Sequence, residues 1–198
     1  GIDDKVTPLT EDASFGAKFD PNLLIYQWDA FDPASPNYLK ATPWVAGAND
    51  PTEFFETPIA LTNTIAFDKA YDQGDFRLAY TNYNLEGMIP NSELKRNNIS
   101  AKTTLKVTDR MTVAGFGNFI RTDAVGRNGT GYSNGAASSF RQWWQTNVDV
   151  KQQEEIYQAT KRNVTWNYAG PFAGVPIYWD NPYWQAYENY ENDTRNRF

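Results

Sequence analysis

Residues 57–121 carry the only sustained alternation of apolar and polar side chains in the chain. Ile59, Leu61, Ile65 and Phe67 alternate with Ala60, Thr62, Thr64 and Ala66, and Phe76, Leu78 and Tyr80 alternate with Arg77, Ala79 and Thr81. A third run sets Ile99, Ala101, Thr103, Leu105 and Val107 against Asn98, Ser100, Lys102, Thr104 and Lys106. From Met111 to Arg121 two parities compete, Met111, Val113 and Phe119 against Phe116 and Ile120. A period of two gives a strand one apolar and one polar face. The pattern therefore predicts four strands, over 57–68, 75–83, 95–107 and 111–121, paired antiparallel in chain order.

The connections differ in length. Thr108-Asp109-Arg110 makes a tight hairpin turn, and a short polar link around Asp72-Gln73-Gly74 joins the first two strands. A longer piece, Asn84 to Leu94, separates the second and third. Short turns at one end, longer loops at the other, and strands near 9–11 residues form the outer-membrane barrel pattern. An all-β sandwich shares the alternation and is the commoner architecture.

The flanks read differently. Residues 1–56 are irregular and rich in Pro and Asp, with turn-like Asp20-Pro21, Asp32-Pro33 and Asp50-Pro51. Residues 122–198 open on a Gly/Asn/Ser tract and then crowd with Trp and Tyr, which predicts mostly loop with short helices at most. Asp149 and Gln152 have capping-box spacing for a helix through Tyr157. Phe140, Trp143 and Trp144 are spaced to share a helical face, while Pro171, Pro176 and Pro182 break any longer helix. No internal repeat is present.

Composition removes whole classes of chemistry. With no Cys and no His, the chain has no disulfide, thiolate nucleophile, imidazole triad or His-ligated zinc. Its 24 Asp plus Glu leave carboxylate chemistry open. The net charge of −6 argues against nucleic-acid binding. No apolar run reaches the ~18 residues of a transmembrane helix. The chain opens at Gly1 without an initiator Met or a signal peptide, which reads as processed, engineered or cut from something longer.

An ordered series of short motifs adds a resemblance. Phe54-Phe55-Glu56-Thr57 leads into a strand containing Thr62-Asn63, followed by Phe76-Arg77-Leu78-Ala79-Tyr80-Thr81-Asn82. Glu86-Gly87-Met88-Ile89-Pro90-Asn91 and Leu94-Lys95-Arg96-Asn97 come next. Thr42-Pro43-Trp44-Val45 lies upstream; Thr165-Trp166-Asn167-Tyr168, Asn181-Pro182-Tyr183-Trp184, Tyr187-Glu188-Asn189 and Arg195-x-Arg197 lie downstream. In order and spacing this series resembles the early barrel of the SusC/RagA family of TonB-dependent outer-membrane transporters. One departure is Asp68-Lys69-Ala70-Tyr71, which stands where the family has a glycine pair after the first strand, so that turn is expected to differ.

The resemblance implies an all-β chain: a fragment of a large antiparallel transmembrane β-barrel, about four strands at 57–121. Long, mostly irregular extracellular loops would occupy 1–56 and 122–198, with 84–94 on the same side. The implied function is TonB-dependent import of a glycan or oligopeptide across a bacterial outer membrane, without catalysis or cofactor. It would act with a SusD-like surface lipoprotein, and TonB would engage a part of the protein absent from this chain. An isolated arc would leave two strand edges unpaired in lipid, so it is not expected to fold stably alone. A soluble or surface carbohydrate-binding β-domain and a two-carboxylate glycoside hydrolase are the alternatives, the latter without a motif.

Candidate contact residues follow. Trp143, Trp144, Trp179, Tyr183 and Trp184 are candidates for substrate or lipoprotein contact, because aromatic rings suit sugars, peptide side chains and interfaces alike. The alternative is that they form the segment's own small core. Arg77, Lys102 and Lys106 are lumen-facing candidates, either for an anionic substrate or for pairing with nearby carboxylates. Glu188, Glu191 and Asp193, with Asn189 and Asn192, are oxygen ligands of the kind calcium takes, but without an EF-hand spacing.

Overall fold

A computed structural model of the chain describes residues 5–11, 13–14, 16–129, 131, 135–140 and 144–198. Two compact units emerge: unit 1 comprises Gly1–Glu56 with Asn128–Tyr190, and unit 2 comprises Thr57–Arg127 with Glu191–Phe198. The described strands form two antiparallel sheets, one of two strands and one of five.

Unit 1 holds β1 (Asp20–Ile25) and β2 (Thr42–Trp44), paired antiparallel, and three helices: α1 (Ala136–Ser139), α2 (Val150–Thr160) and α3 (Pro182–Glu188). Short 3-10 turns cover Trp28–Phe31 and Pro51–Phe54. The predicted cap is present: the Asp149 carboxylate accepts from the backbone N–H groups of Lys151 and Gln152, and α2 runs one turn past Tyr157 to Thr160. The same carboxylate accepts from the N–H groups of Ala48 and Asn49 at 3.1 Å, so the cap also ties down a segment 100 residues earlier. Pro182 does not break a helix. It occupies the first turn of α3, where its missing N–H costs nothing, behind an Asn181 cap.

Asn181 is fully buried and fills its hydrogen-bonding capacity. Its Nδ2 donates to the Gln153 and Val164 carbonyls at 2.8 and 2.9 Å, and its backbone N–H donates to Asn163 Oδ1. Buried Asn167 joins the two segments of unit 1, donating to the Leu9 carbonyl and accepting from Tyr178 N–H. Polar groups of this kind enter a core only when they are paired. Around them pack Trp28, Phe54, Trp144, Trp166 and Trp179.

Unit 2 is one five-stranded meander, β3 (Ile59–Tyr71), β4 (Gly74–Glu86), β5 (Glu93–Thr108), β6 (Met111–Arg127) and β7 (Glu191–Arg197), in the order β3-β4-β5-β6-β7. The three predicted pairings form, with longer strands than the alternation predicted. Tyr71 pairs with Gly74 and Thr108 with Met111, so two-residue turns, Asp72-Gln73 and Asp109-Arg110, close one end. Asp68–Tyr71 is strand, not turn. At the other end the β4–β5 ladder reaches Glu86↔Glu93, which shortens the loop to residues 87–92.

β7 corrects the reading of 122–198 as loop and of the sheet as four strands. Its sequence, ENDTRNR, has no apolar alternation; pairing with Ile120–Arg127 of β6 makes it a strand. A bulge between Ala124 and Arg127 accompanies this, with Gly126 at φ +70°. A Cβ there would meet the Asn91 carbonyl oxygen at 1.7 Å, so only glycine fits.

Candidate functional site

The register of unit 2 assigns every side chain to one of two faces. On the first, Ile65, Tyr80, Ile99 and Phe119 stand side by side, with Phe67, Leu78, Ala101 and Gly117 in the next row. Tyr71, Leu105 and Val113 continue the band to the two-residue turns. Ile65 is 72% exposed, and Phe67, Leu78, Ile99, Leu105 and Val113 are exposed with it, so among the described residues of unit 2 no second layer covers this band. Toward the long connections the face turns polar: Asn63, Asn82, Asn97 and Arg121 form a row, followed by Asn84, Lys95 and Asp123. Tyr80 straddles the boundary, with its ring in the apolar band and its hydroxyl donating to Asn97 Oδ1 at 2.7 Å.

The second face is small and polar around Ala66, Ala79, Ser100 and Asn118. The competing parities of β6 resolve with Val113 and Phe119 on the apolar face and Phe116 and Ile120 on the polar one. All three lumen candidates are on this polar face. Arg77 and Lys102 are direct cross-strand neighbours, in a row running from Asp68 to Phe116. Arg77 Nη1 meets Asp68 at 2.8 Å with both side chains more than half exposed, and Lys106 meets Asp109 at 3.5 Å. Lys102 forms no ion pair among the described residues.

Three further cations share this face. Arg96 stands over the Tyr83 ring, one row from Arg197, and Thr122 separates it from Arg195, whose guanidinium meets Asp193 at 2.6 Å. Arg96 has the same parity as Lys102 and was legible in the alternation. Arg195 and Arg197 required the β7 register. Up to the β6 bulge the face carries these six cations with the carboxylates Asp68, Asp75 and Asp193; past it Arg127, a register partner of Glu191, reaches Asp193 at 2.8 Å. No protein-family model and no curated protein matches the sequence.

The aromatic candidates lie in unit 1, mostly within its core. Trp144, Trp179 and Tyr183 are buried, Trp184 is half-buried, and Trp143 lies outside the described residues. Trp144 packs edge-on to fully buried Trp166 at 4.5 Å and against Phe140 at 5.1 Å; Tyr183 meets Phe54 at 5.0 Å. Burial pushes the Tyr183 phenol up from its ordinary value, reinforced by Glu154, and burial pushes Tyr168 up to about 12. Tyr157 is raised by burial and by its hydrogen bond to Glu188 at 2.9 Å. Of the contact candidates, Trp144 and Tyr183 thus pack against other rings of unit 1. Among the described residues no group of three or more carboxylates gathers to hold a metal ion.

Proposed function

We propose that this chain is a stretch of the wall and outer segments of a SusC/RagA-like outer-membrane transporter, importing a glycan or oligopeptide by TonB-driven uptake. In this reading β3 descends toward the periplasm, β4 ascends, and β5 and β6 repeat the pair. The small polar face lines the lumen, and unit 1 belongs to the extracellular side, where a SusD-like lipoprotein docks. The chain itself carries out no bond-making chemistry.

The observation that carries the reading is the uncovered apolar band. A 13-residue strand such as β3 is roughly 40 Å long, or about 30 Å in height at a 40° tilt, enough to cross a bilayer. A contiguous apolar face left in water is costly for a soluble domain. Lipid contact removes that cost, and Tyr80 has the ring-in, hydroxyl-out placement of interfacial aromatics. A soluble carbohydrate-binding domain would need a second layer over Ile65, Leu78 and Leu105.

This chain has no Cys of its own, so a label placed in it reports from one known position once any Cys elsewhere in the full-length protein is replaced. Single nitroxide labels at Ile65→Cys, Leu78→Cys and Ile99→Cys, and at Ser100→Cys and Lys102→Cys, are placed in the full-length protein in outer membranes. Labels on the first set are expected to collide with lipid-dissolved oxygen and those on the second with a water-soluble nickel chelate. Equal accessibility on both faces would sink the membrane reading.

A further inference from the structure

Unit 1 contains a cavity of about 650 Å³ between its N-terminal segment, β1, Trp44 of β2 and the segment before α2. That volume falls in the range of small-molecule sites, which are mainly apolar with a few fixed polar groups. The walls fit this description. Val6, Phe19, Leu23, Ile25 and Trp44 supply apolar surface. The Phe19 and Trp44 rings stand 5.0 Å apart, tilted by 49°, and Trp44 Nε1 donates to the Ala17 carbonyl at 3.2 Å, which fixes the indole plane in advance. A binding surface ordered before the ligand arrives loses less entropy on binding.

The charged groups in the lining select among ligands. Lys5 and Lys18 are exposed, and among the described residues neither forms an ion pair and Glu11 is the one carboxylate in the lining. The described lining is thus cationic on an acidic chain. Gln145, 6% exposed, donates its Nε2 to the Pro8 carbonyl and leaves Oε1 without a protein partner among the described residues. A donor on the ligand body would satisfy it.

We propose that this cavity binds a small amphipathic acid, with an aromatic or branched apolar body on Phe19, Leu23 and Trp44 and a carboxylate held by Lys5 and Lys18. The surface that the lining exposes is predominantly apolar, which favours an apolar body over a sugar, whose hydroxyls would lose water there. The proposal stands on unit 1 alone and is independent of the transport reading.

Titration calorimetry of the full-length protein in detergent with indole-3-acetate tests it, with neutral indole-3-acetamide as the comparison. The acid is expected to bind one-to-one, and the amide about five- to tenfold more weakly, the loss of two exposed ion pairs. The double change Lys5→Glu/Lys18→Glu touches only exposed side chains and is expected to abolish the preference for the acid. Trp44→Ala should weaken acid and amide alike. Arg110→Glu, in a two-residue turn of unit 2, should leave both affinities unchanged. Equal affinity for acid and amide, no saturable binding at about 10 mM, or equal losses in Arg110→Glu and the lysine double variant would each overturn the assignment.

Discussion

Trp166 and Ile65 mark the contrast between the two units: the first is 0% exposed and the second 72%. Unit 1 hides Trp28, Trp144, Trp166 and Trp179 among buried polar side chains such as the paired Asn167 and Asn181. Unit 2 turns its largest aliphatic residues outward and keeps alanines, serines and cations on the other face. A single hydropathy scale misreads one of them, because apolar residues in unit 1 mark the interior and in unit 2 the exterior. The environment, not the composition, decides what an apolar side chain does.

The sharpest way to break this contrast is a pair of substitutions. Trp166→Ala removes a fully buried ring that touches Trp144 and is expected to cost about 3–5 kcal/mol, read as faster proteolysis of unit 1. Trp144→Ala and Trp179→Ala should act in the same way, and capture of a surface lipoprotein should fall only as unit 1 loosens. In unit 2, Ile65→Arg is expected to cost about 2–4 kcal/mol near the bilayer midplane, measured by refolding into lipid vesicles. A negligible cost there would remove the lipid from the account.

Smaller effects sharpen it. Asp149→Ala removes both the α2 cap and the tether to Ala48 and Asn49, for about 1–3 kcal/mol by thermal unfolding; Asp149→Asn should recover part of it. The buried phenols predict an alkaline limit confined to unit 1. Tyr168, held up to about 12, keeps its proton when folded, while an unfolded tyrosine ionises near 10. The native state then binds more protons across that window, so stability falls as pH rises from 10 to 12. Phenolate absorbance should show this group ionising late, together with loss of structure. Last, Arg77→Ala breaks an exposed pair with Asp68 and should change stability by less than about 1 kcal/mol.

The sheet was largely legible in the sequence because period-two patterning is local information. β3 to β5 show it directly, and β6 becomes unambiguous only when the β5 register assigns Phe119 to the apolar face with Ile99. β7 was not legible, since a strand polar on both faces carries no alternation. The aromatic cluster could be seen but not sorted, because whether Trp179 lies inside depends on Thr165 donating to its carbonyl. The cavity is least legible of all: Lys5 and Asn147 share a lining though 142 positions separate them.

The hydrogen bonds of Asp149 to residues 48–49, of Asn167 to Leu9 and of Asn147 to Gln27 have a consequence for descent. Unit 1 is assembled from two stretches separated by four strands of sheet. Arg127 and Glu191, which bracket the second stretch, are themselves register partners, so that stretch can change length without shifting β6 against β7. Its contents are not equally free. A lineage that exchanged residues 128–190 alone would strand the partners of Asn49, Leu9 and Gln27. The two stretches are therefore expected to be inherited as a pair, and recombination that separates them should be selected against even where the sheet between them is untouched.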